Sequence, residues 1–588
     1  MAAKWLKDTV FYEIYPQSFY DTNGDGIGDI NGITAKLDYI KSLGCNALWI
    51  NPCYDSPFKD AGYDVRDYKK VAPRYGTNED LYHLFEEAHK KGIRILLDLV
   101  PGHTSEEHPW FHESQKTEKN EYSDRFIWTD FCFRGSSGLP YVGGESERSG
   151  CYILNFFKCQ PALNYGFLNV TEPWQKSFRD PAAIATREAI KDVMRFWLSH
   201  GCDGFRVDMA SSLVKNDDDK KSGTSAIWRD VRRMLDLEFP DAAMVAEWSN
   251  PPLALRAGYD MDFILNEPGG CYSTLMRDYG NYGGRIHGGR NAQDSGQSAE
   301  DHSYFKKDAG GDINRFLDQY LDWYEDTKDL GYISVLTCNH DTIRPSYNLD
   351  TAELKLAYSF LFTLPGVPFL YYGDEIGMKY LDLPTKEGGY FRTGARTPMQ
   401  WDAGANLGFS TGDASDLYLP VDPSIDAPTV AAQEADPSSL LNTVRAILAL
   451  RHREEDLQAD APFRVVCSEP GRPFVYMRGK LLCAVNPTGR ELEVALPKDM
   501  IEAADRTTAA DHSADSTHSA DSTHCADSTH SADSTHCADS THCADSTHSA
   551  DCIANEELSG EALFAIGNAC VENGILKAGA QSFAVIKL

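Results

Sequence analysis

The chain has 588 residues, too many for one compact core, and with 42% hydrophobic and 11% aromatic residues it describes a globular protein of two or three domains. Lys and Arg total 56 against 88 Asp and Glu, a formal net charge of −32 that repels phosphate backbones and anionic lipid. That field argues against nucleic-acid and membrane-surface partners and suits a neutral ligand. The N-terminus, Met1-Ala2-Ala3-Lys4-Trp5, lacks an apolar signal segment, and no run approaches 18 apolar residues. The 15 Cys show no paired framework. The expectation is a reduced, cytoplasmic protein without a membrane span.

In chain order, short apolar runs alternate with longer helix-like segments up to about residue 450. The candidate strands are Val10–Tyr15, Ala47–Ile50, Arg94–Val100, Gly204–Asp208, Ala243–Glu247, Phe263–Asn266, Ser334–Cys338 and Pro368–Tyr372. Between the second and third, Asn78–Lys91 places Leu81, Leu84, Phe85 and Ala88 on one helical face. Eight such βα units predict an α/β fold, a closed TIM (β/α)8 barrel whose functional residues gather at the C-terminal ends of the strands. The barrel is assigned to residues 1–103 and 170–453. The stretch 104–169, rich in Gly, Ser, Tyr and Phe and lacking helical periodicity, reads as a subdomain inserted after strand three. Residues 454–588 turn to short alternating runs, the texture of a C-terminal antiparallel β-sandwich.

That last part is interrupted at about 508–552 by Asp-Ser-Thr-His, recurring every six residues from Asp515 to Asp545 with Ser-Ala or Cys-Ala spacers. His, Cys and Asp are metal-ligand types, but the repeat has no apolar residue larger than Ala or Cys. It cannot bury a core and reads as a surface insertion.

The strand ends hold the chemistry. Strand three leads from Asp98 to His103, strand four ends Arg206-Val-Asp208, strand five ends in Glu247, and strand seven leads into Asn339-His340-Asp341. Charged groups closing buried apolar strands are costly unless paired or functional, and four such ends at one rim exceed chance. Paired carboxylates are what glycoside hydrolysis needs: one attacks the anomeric carbon, while the other protonates the leaving oxygen and then activates water. A separation of about 5 Å belongs to retention of configuration. Arg206 lies two residues before Asp208 in a strand, on the same face, and is expected to keep Asp208 ionised.

Those four segments together resemble the short conserved regions of glycoside hydrolase family 13, the α-amylase family, from residue 8 to about 450. The resemblance implies Asp208 as nucleophile, Glu247 as general acid/base and Asp341 as transition-state stabiliser. It further implies that His103, Arg206 and His340 complete the −1 sugar site, with Tyr63 as a stacking ring and Asp64 its neighbouring carboxylate. Val10–Phe19, Tyr371–Gly377 and Arg396–Asp402 resemble the corresponding stretches of oligo-1,6-glucosidases, α-glucosidases and their trehalose- and sucrose-isomerising relatives. In exo-acting members an aspartate and an arginine close the pocket, and here Asp64 with Arg392 or Arg396 are the matching candidates.

The loop Asp21-Thr-Asn23-Gly-Asp25-Gly-Ile27-Gly-Asp29 offers alternate oxygen ligands and turn-permitting glycines, which suit a hard cation, and in relatives the same loop binds Ca²⁺. Two positions depart from the family pattern. Gly102 stands where Asn usually precedes His103, and Ala162 replaces the acid of Gln-Pro-Asp-Leu-Asn. A second calcium site between barrel and insertion is therefore not expected. Met209 and Ala210 match neither usual guide to 1,6 or 1,4 linkage, and the isomerase-associated Arg-Leu-Asp-Arg-Asp loop is absent.

The expectation is a retaining, exo-acting α-glucosidase on short malto- or isomalto-oligosaccharides, acting as a monomer or small homo-oligomer. A transglycosylating or isomerising enzyme of the trehalose synthase or sucrose isomerase type, or an endo-hydrolase, is the alternative. A non-catalytic relative, like the transporter heavy subunits, is disfavoured because the three acids are kept and no span is present.

Overall fold

The computed structural model describes residues 2–133, 135–265, 270–278, 301–387, 392–497 and 560–588. The Asp-Ser-Thr-His repeat lies outside them. Eight strands form one parallel sheet: β1 (Phe11–Ile14), β2 (Ala47–Ile50), β3 (Arg94–Leu99), β4 (Gly204–Val207), β5 (Ala243–Ala246), β6 (Met261–Phe263), β7 (Tyr332–Ser334) and β8 (Phe369–Tyr371). The order runs β7-β6-β5-β4-β3-β2-β1-β8. The ring closes beyond β7 through a parallel bridge between Leu336 and Phe369, where Phe369 N–H donates to Val335 O at 2.8 Å and Thr337 N–H to Phe369 O at 3.0 Å. This is the TIM barrel expected from the pattern.

β6 and β7 begin two residues earlier than the apolar runs suggested. Asp260 and Gly331, which read as loop punctuation, lead the chain into the sheet: Asp260 N–H bonds Met244 O at 3.0 Å, and Tyr332 N–H bonds Asp260 O at 2.9 Å. The end of the expected sixth strand, Asn266, lies outside the described residues.

Inside the barrel, Phe11, Trp49, Phe263 and Phe369 pack on one another, with ring centroids from 4.3 Å (Phe11–Phe369) to 6.2 Å (Trp49–Phe369). Two residues further along β1 and β3 the inward positions change character, to Glu13 and Asp98, and Arg206 lies opposite Asp98 in the register of β3 and β4. The barrel is thus an aromatic plug below and a layer of charge above. Outside, Asn78–Lys90 buries Leu81, Leu84, Phe85 and Ala88, the face its periodicity predicted, and opens with a Thr77/Asp80 capping box.

Between β3 and β4 lie a short helix, Pro109–Ser114, which the sequence reading did not resolve, and a hairpin of Tyr141–Gly143 with Cys151–Ile153. A small core of Ile127, Ile153, Ala162, Phe167 and Trp174 holds this stretch together. It is stitched to the barrel rim where Leu163 N–H donates to Gly102 O at 3.1 Å.

Beyond the helix Leu440–Arg453 come β9 (Phe463–Cys467), β10 (Phe474–Arg478), β11 (Leu481–Asn486), β12 (Leu492–Ala495), β13 (Glu561–Ile566), β14 (Ala569–Glu572), β15 (Ile575–Ala578) and β16 (Ser582–Lys587). They form two antiparallel sheets, β9-β10-β11-β16-β13 and β12-β15-β14. Val475, Leu482 and Ile586 of the first pack against Val571 and Leu576 of the second. The other face of the larger sheet meets the helix Thr351–Thr363: Phe360 packs on Phe474 and Tyr476, and the hydroxyls of Thr363 and Tyr476 lie 2.5 Å apart. Arg451, fully buried, closes the C-terminal end of that helix by donating to the carbonyls of Phe362 and Leu364 at 2.8 and 3.1 Å and to that of Gly366 at 2.7 Å. Among the described residues no helix is long and apolar enough to cross a membrane.

One glycine sets how closely β4 can approach β5. Gly204 has φ +148°, and a Cβ there would stand 2.0 Å from Ala243 O. Gly204→Ala is expected to destabilise the fold by about 1–3 kcal/mol through forced strand separation. Thermal melting by circular dichroism checks this; an unchanged melting temperature would show that the strands give way freely.

Candidate active site

At the rim where β3, β4 and β5 end, one guanidinium meets three carboxyl groups. Arg206 Nη1 donates to Asp98 Oδ1 and Oδ2 at 2.8 and 3.0 Å and to Asp208 Oδ1 at 3.2 Å, while Nη2 meets Glu247 Oε2 at 2.7 Å. Asp208 and Glu247 therefore sit on the two terminal nitrogens of one side chain. Met209 follows in the left-handed region, φ 42°, a strained conformation for a residue with a Cβ. That twist turns its N–H onto Glu247 Oε2 at 2.9 Å. Arg206 draws the Asp208 carboxyl toward its ionised form, the direction expected from the sequence, but it does not act alone. Burial, and after it the charge of Glu247, push the Asp208 carboxyl well above the ordinary range against the pull of Arg206. The reason is geometric: Arg206 lies closer to Asp98 and Glu247 than to Asp208, so its charge is divided among three acids.

Asp341 is in the opposite condition. Burial raises its carboxyl, but Arg392, His340 and Arg396 together outweigh that and hold it well below the carboxylate range. Arg392 Nη1 and Arg396 Nη2 both reach its Oδ1, at 2.9 and 2.6 Å. Arg392 then extends Nη2 to Asp60 Oδ1 at 2.6 Å, and Gln160 Nε2 holds the other oxygen of Asp60 at 2.7 Å. The acid facing the arginine is thus Asp60, which corrects the expected pairing of Asp64 with Arg392 or Arg396. Asp64 is turned into its own loop, where it accepts from Ser56 Oγ and from the backbone of Lys59 and Asp60, each at 3.0 Å. Burial pushes it up to about 6, against those three donors. Asp60 sits four residues upstream in the same motif, and its nearness to Gly62-Tyr-Asp was the available signal.

Tyr63 and His340 stack at 5.3 Å between these groups. Tyr63 Oη donates to Asp98 Oδ2 at 2.9 Å and lies 2.8 Å from His340 Nε2; the other ring nitrogen of His340 faces Glu13 Oε1 at 2.9 Å and Asn51 Nδ2 at 3.0 Å. Sequence reasoning passed over Glu13 and Asn51, although an acid inside the apolar run Phe11–Ile14 is itself a signal.

His103 is placed at the rim, but its ring nitrogens meet protein groups, Tyr63 O at 3.1 Å and Asn155 Nδ2 at 3.0 Å. Asn155 in turn receives Lys215 Nζ at 3.0 Å, and Lys215 also donates to Ser212 O at 2.9 Å. A Cβ on Gly102 would stand 2.8 Å from Asn155 Nδ2, so the glycine and this asparagine belong together. Where the family pattern has Asn and an acid, this chain brings an amide and an ammonium.

The loop from Asp21 to Asp29 is a run of Asx turns. Asp21 accepts from the N–H of Asn23, Gly24 and Gly26 and from Ser410 Oγ, at 2.6–3.0 Å. Asn23 Oδ1 accepts from Asp25, Asp25 Oδ1 from Ile27, and Asp29 from Thr22 and Gly32. Among the described residues no three His, Cys, Asp or Glu are gathered to hold a metal ion.

A parallel barrel with paired carboxylates sharing a buried arginine at its C-terminal rim defines a glycoside hydrolase. The family model for the α-amylase catalytic domain matches residues 13–460, and the chain belongs to the α-amylase family. It is 34% identical over 505 residues to a trehalose synthase/amylase of Mycolicibacterium smegmatis, covering 81% of this chain and 80% of the relative. It is 32% identical over 552 residues to an oligo-1,6-glucosidase of Heyndrickxia coagulans, covering 84% and 94%. In fold it is similar to the crystal structure of the trehalulose synthase MutB from Pseudomonas mesoacidophila, with a TM-score of 0.73 at 23% identity over the full length of both chains.

The segment between β3 and β4 contributes its own acid sensitivity. His108 caps the helix Pro109–Ser114 by accepting Trp110 N–H at 3.0 Å, and burial, then the charges of Arg125 and His112, push it down to about 3. The unfolded imidazole takes a proton near pH 6.5 and the folded one does not. Stability from this residue is therefore complete above about pH 6.5 and is lost as pH falls toward 3. His108→Asn keeps a capping oxygen without the titration. The difference in melting temperature between variant and parent is expected to move in the variant's favour from pH 7 to pH 4.5; a pH-independent difference would contradict it.

Proposed function

We propose that the chain is a retaining, exo-acting α-glucosidase that hydrolyses short malto- or isomalto-oligosaccharides. The observation that supports it most is the shared guanidinium of Arg206, with Asp208 on one nitrogen and Glu247 on the other. A pair so joined can divide the roles of nucleophile and acid, and the proton belongs to the acid. With that proton on Glu247, Asp208 attacks the anomeric carbon, the glycosidic C–O bond breaks, and Glu247 protonates the departing oxygen. Glu247 then takes a proton from water, whose oxygen displaces Asp208 and restores the starting configuration. Asp341, kept ionised by two arginines, accepts sugar hydroxyls as positive charge develops on the ring. Tyr63 and His340 provide a flat wall for the ring, and His103, bonded to the Tyr63 carbonyl, positions that wall. Arg392, reaching from Asp341 to Asp60, closes the far side, which suits one terminal glucose unit and favours short chains.

The two relatives above bear different activities in their names, which keeps one other reading: a sugar instead of water intercepts the glycosyl-enzyme, giving a trehalose or sucrose isomer. Incubation with maltose, isomaltose, sucrose and trehalose separates the two, with glucose as the expected early product and a new disaccharide as the contrary one. Asp208→Ala should lower turnover by about 10⁴-fold or more with an unchanged melting temperature, and near-parental turnover would overturn the assignment.

We also propose that Ca²⁺, on binding, gathers Asp21, Asn23, Asp25, Asp29 and the Ile27 carbonyl more closely than their Asx turns alone do, because the donors are all hard oxygens alternating along one turn. Chelation with EDTA should lower the melting temperature and added Ca²⁺ should restore it. No response to either would leave the loop closed by its Asx turns alone.

A further inference from the structure

Glu13 has no part in the mechanism above, yet it lies on β1 at the base of the catalytic layer, completely buried. Its Oε1 is 2.9 Å from His340 Nδ1 and accepts from Asn51 Nδ2 at 3.2 Å and from the His340 backbone N–H at 3.4 Å, while Oε2 has no hydrogen-bond partner among the described residues. We propose that Glu13 is a positioning residue which, as the neutral acid, fixes His340 in its Nε2–H tautomer and so presents an N–H donor toward Asp341 and the bound sugar.

The hydrogen-bond roles lead to this assignment. Asn51 Nδ2, 3.0 Å from His340 Nδ1, can only donate, so Nδ1 offers it a lone pair. The contact between that lone pair and Glu13 Oε1 then requires the proton to come from Glu13. His340 carries its own proton on Nε2, 2.8 Å from Tyr63 Oη and 3.5 Å from Asp341 Oδ2. Tyr63 accepts there and donates its hydroxyl proton to Asp98 Oδ2 at 2.9 Å. The donors then run in one direction, from Glu13 through His340 and Tyr63 to Asp98, with the single Nδ1 lone pair shared between the Glu13 O–H and the Asn51 N–H. The opposite tautomer breaks this chain twice: an N–H would face the Asn51 amide nitrogen, and the single Tyr63 proton would be called for by both Asp98 and His340.

Burial acts the same way on both partners. It raises the Glu13 carboxyl well above its ordinary range, against the hydrogen bond from Asn51 and the charge of Arg206, and it lowers His340 well below the usual imidazole value despite Asp341. A buried carboxylate with one oxygen unpartnered is costly, whereas the carbonyl oxygen of a neutral acid is much less so.

The kinetic consequence rests on the glycosidase reading, but the tautomer does not, and the test separates them. ¹⁵N spectra of the imidazole-labelled full-length protein, with His340 identified by its loss in His340→Gln, should show Nε2 protonated and Nδ1 bare. In Glu13→Gln the amide N–H stands in for the acid O–H, so kcat/KM on 4-nitrophenyl α-glucoside should stay within about threefold of the parent. Glu13→Leu should lower kcat by about 10- to 100-fold with a smaller change in KM. A Gln variant as impaired as the Leu variant would mean an ionised Glu13 and overturn the proposal, as would an Nδ1–H signal or full activity in Glu13→Leu. If Glu13→Leu fails to fold, the Gln variant and the parent spectra still decide. A parent inactive on every sugar tested would count against the glycosidase reading alone.

Discussion

The site depends on one buried cation. Arg206 stands in a barrel whose lower half is aromatic, and it is the charge that lets Asp98, Asp208 and Glu247 share a water-poor space. Removing it would leave three acids facing one another, a change that in buried ion clusters costs about 3–5 kcal/mol. Its placement follows from register: β3 and β4 bring Asp98 and Arg206 opposite each other, one residue-pair above the plug. The Asp98–Arg206 pair is thus part of the barrel's architecture, with Asp208 joining it from the end of the same strand as Arg206 and Glu247 from the end of β5.

The rim holds its ionisable groups in two electrical states. Around Asp341, two arginines secure a permanent negative charge. Around Arg206, three acids divide one positive charge, and burial pushes Asp98 up to about 6 despite its two bonds to the guanidinium. One half of the pocket is fixed in charge, while in the other burial works against charge on Asp98 and Asp208. That asymmetry is what a reaction with separate stabilising and proton-moving groups requires.

The fold was largely legible in the sequence because parallel strands buried on both faces read as apolar runs. β2 was placed to the residue, and β1, β3, β4, β5 and β8 to within one or two at each end. β6 and β7 begin two residues before their expected runs and end three and four residues before them, since Asp260 and Gly331 obey tertiary hydrogen bonding and steric fit that no local pattern encodes. The rim acids and histidines were visible as charged ends of such runs. Their partners were not: which of Asp60 and Asp64 faces Arg392 depends on how one loop coils, and Asp64 is diverted by three nearby donors. Asn155 reaches His103 from a remote segment with Lys215 behind it, and only the missing side chain at Gly102 hinted that another group would fill that space.

The helix Thr351–Thr363 has a further implication. It is buried on nearly every side, between the barrel and the large C-terminal sheet, and its last carbonyls are met by Arg451 from the helix that precedes that sheet. A chain cut near residue 460 would bare the Phe360 side of that helix to water and leave the Thr363 hydroxyl without Tyr476. The terminal sheets are therefore less an appendage than the outer wall of the barrel, and they have no reason to be inherited separately from it.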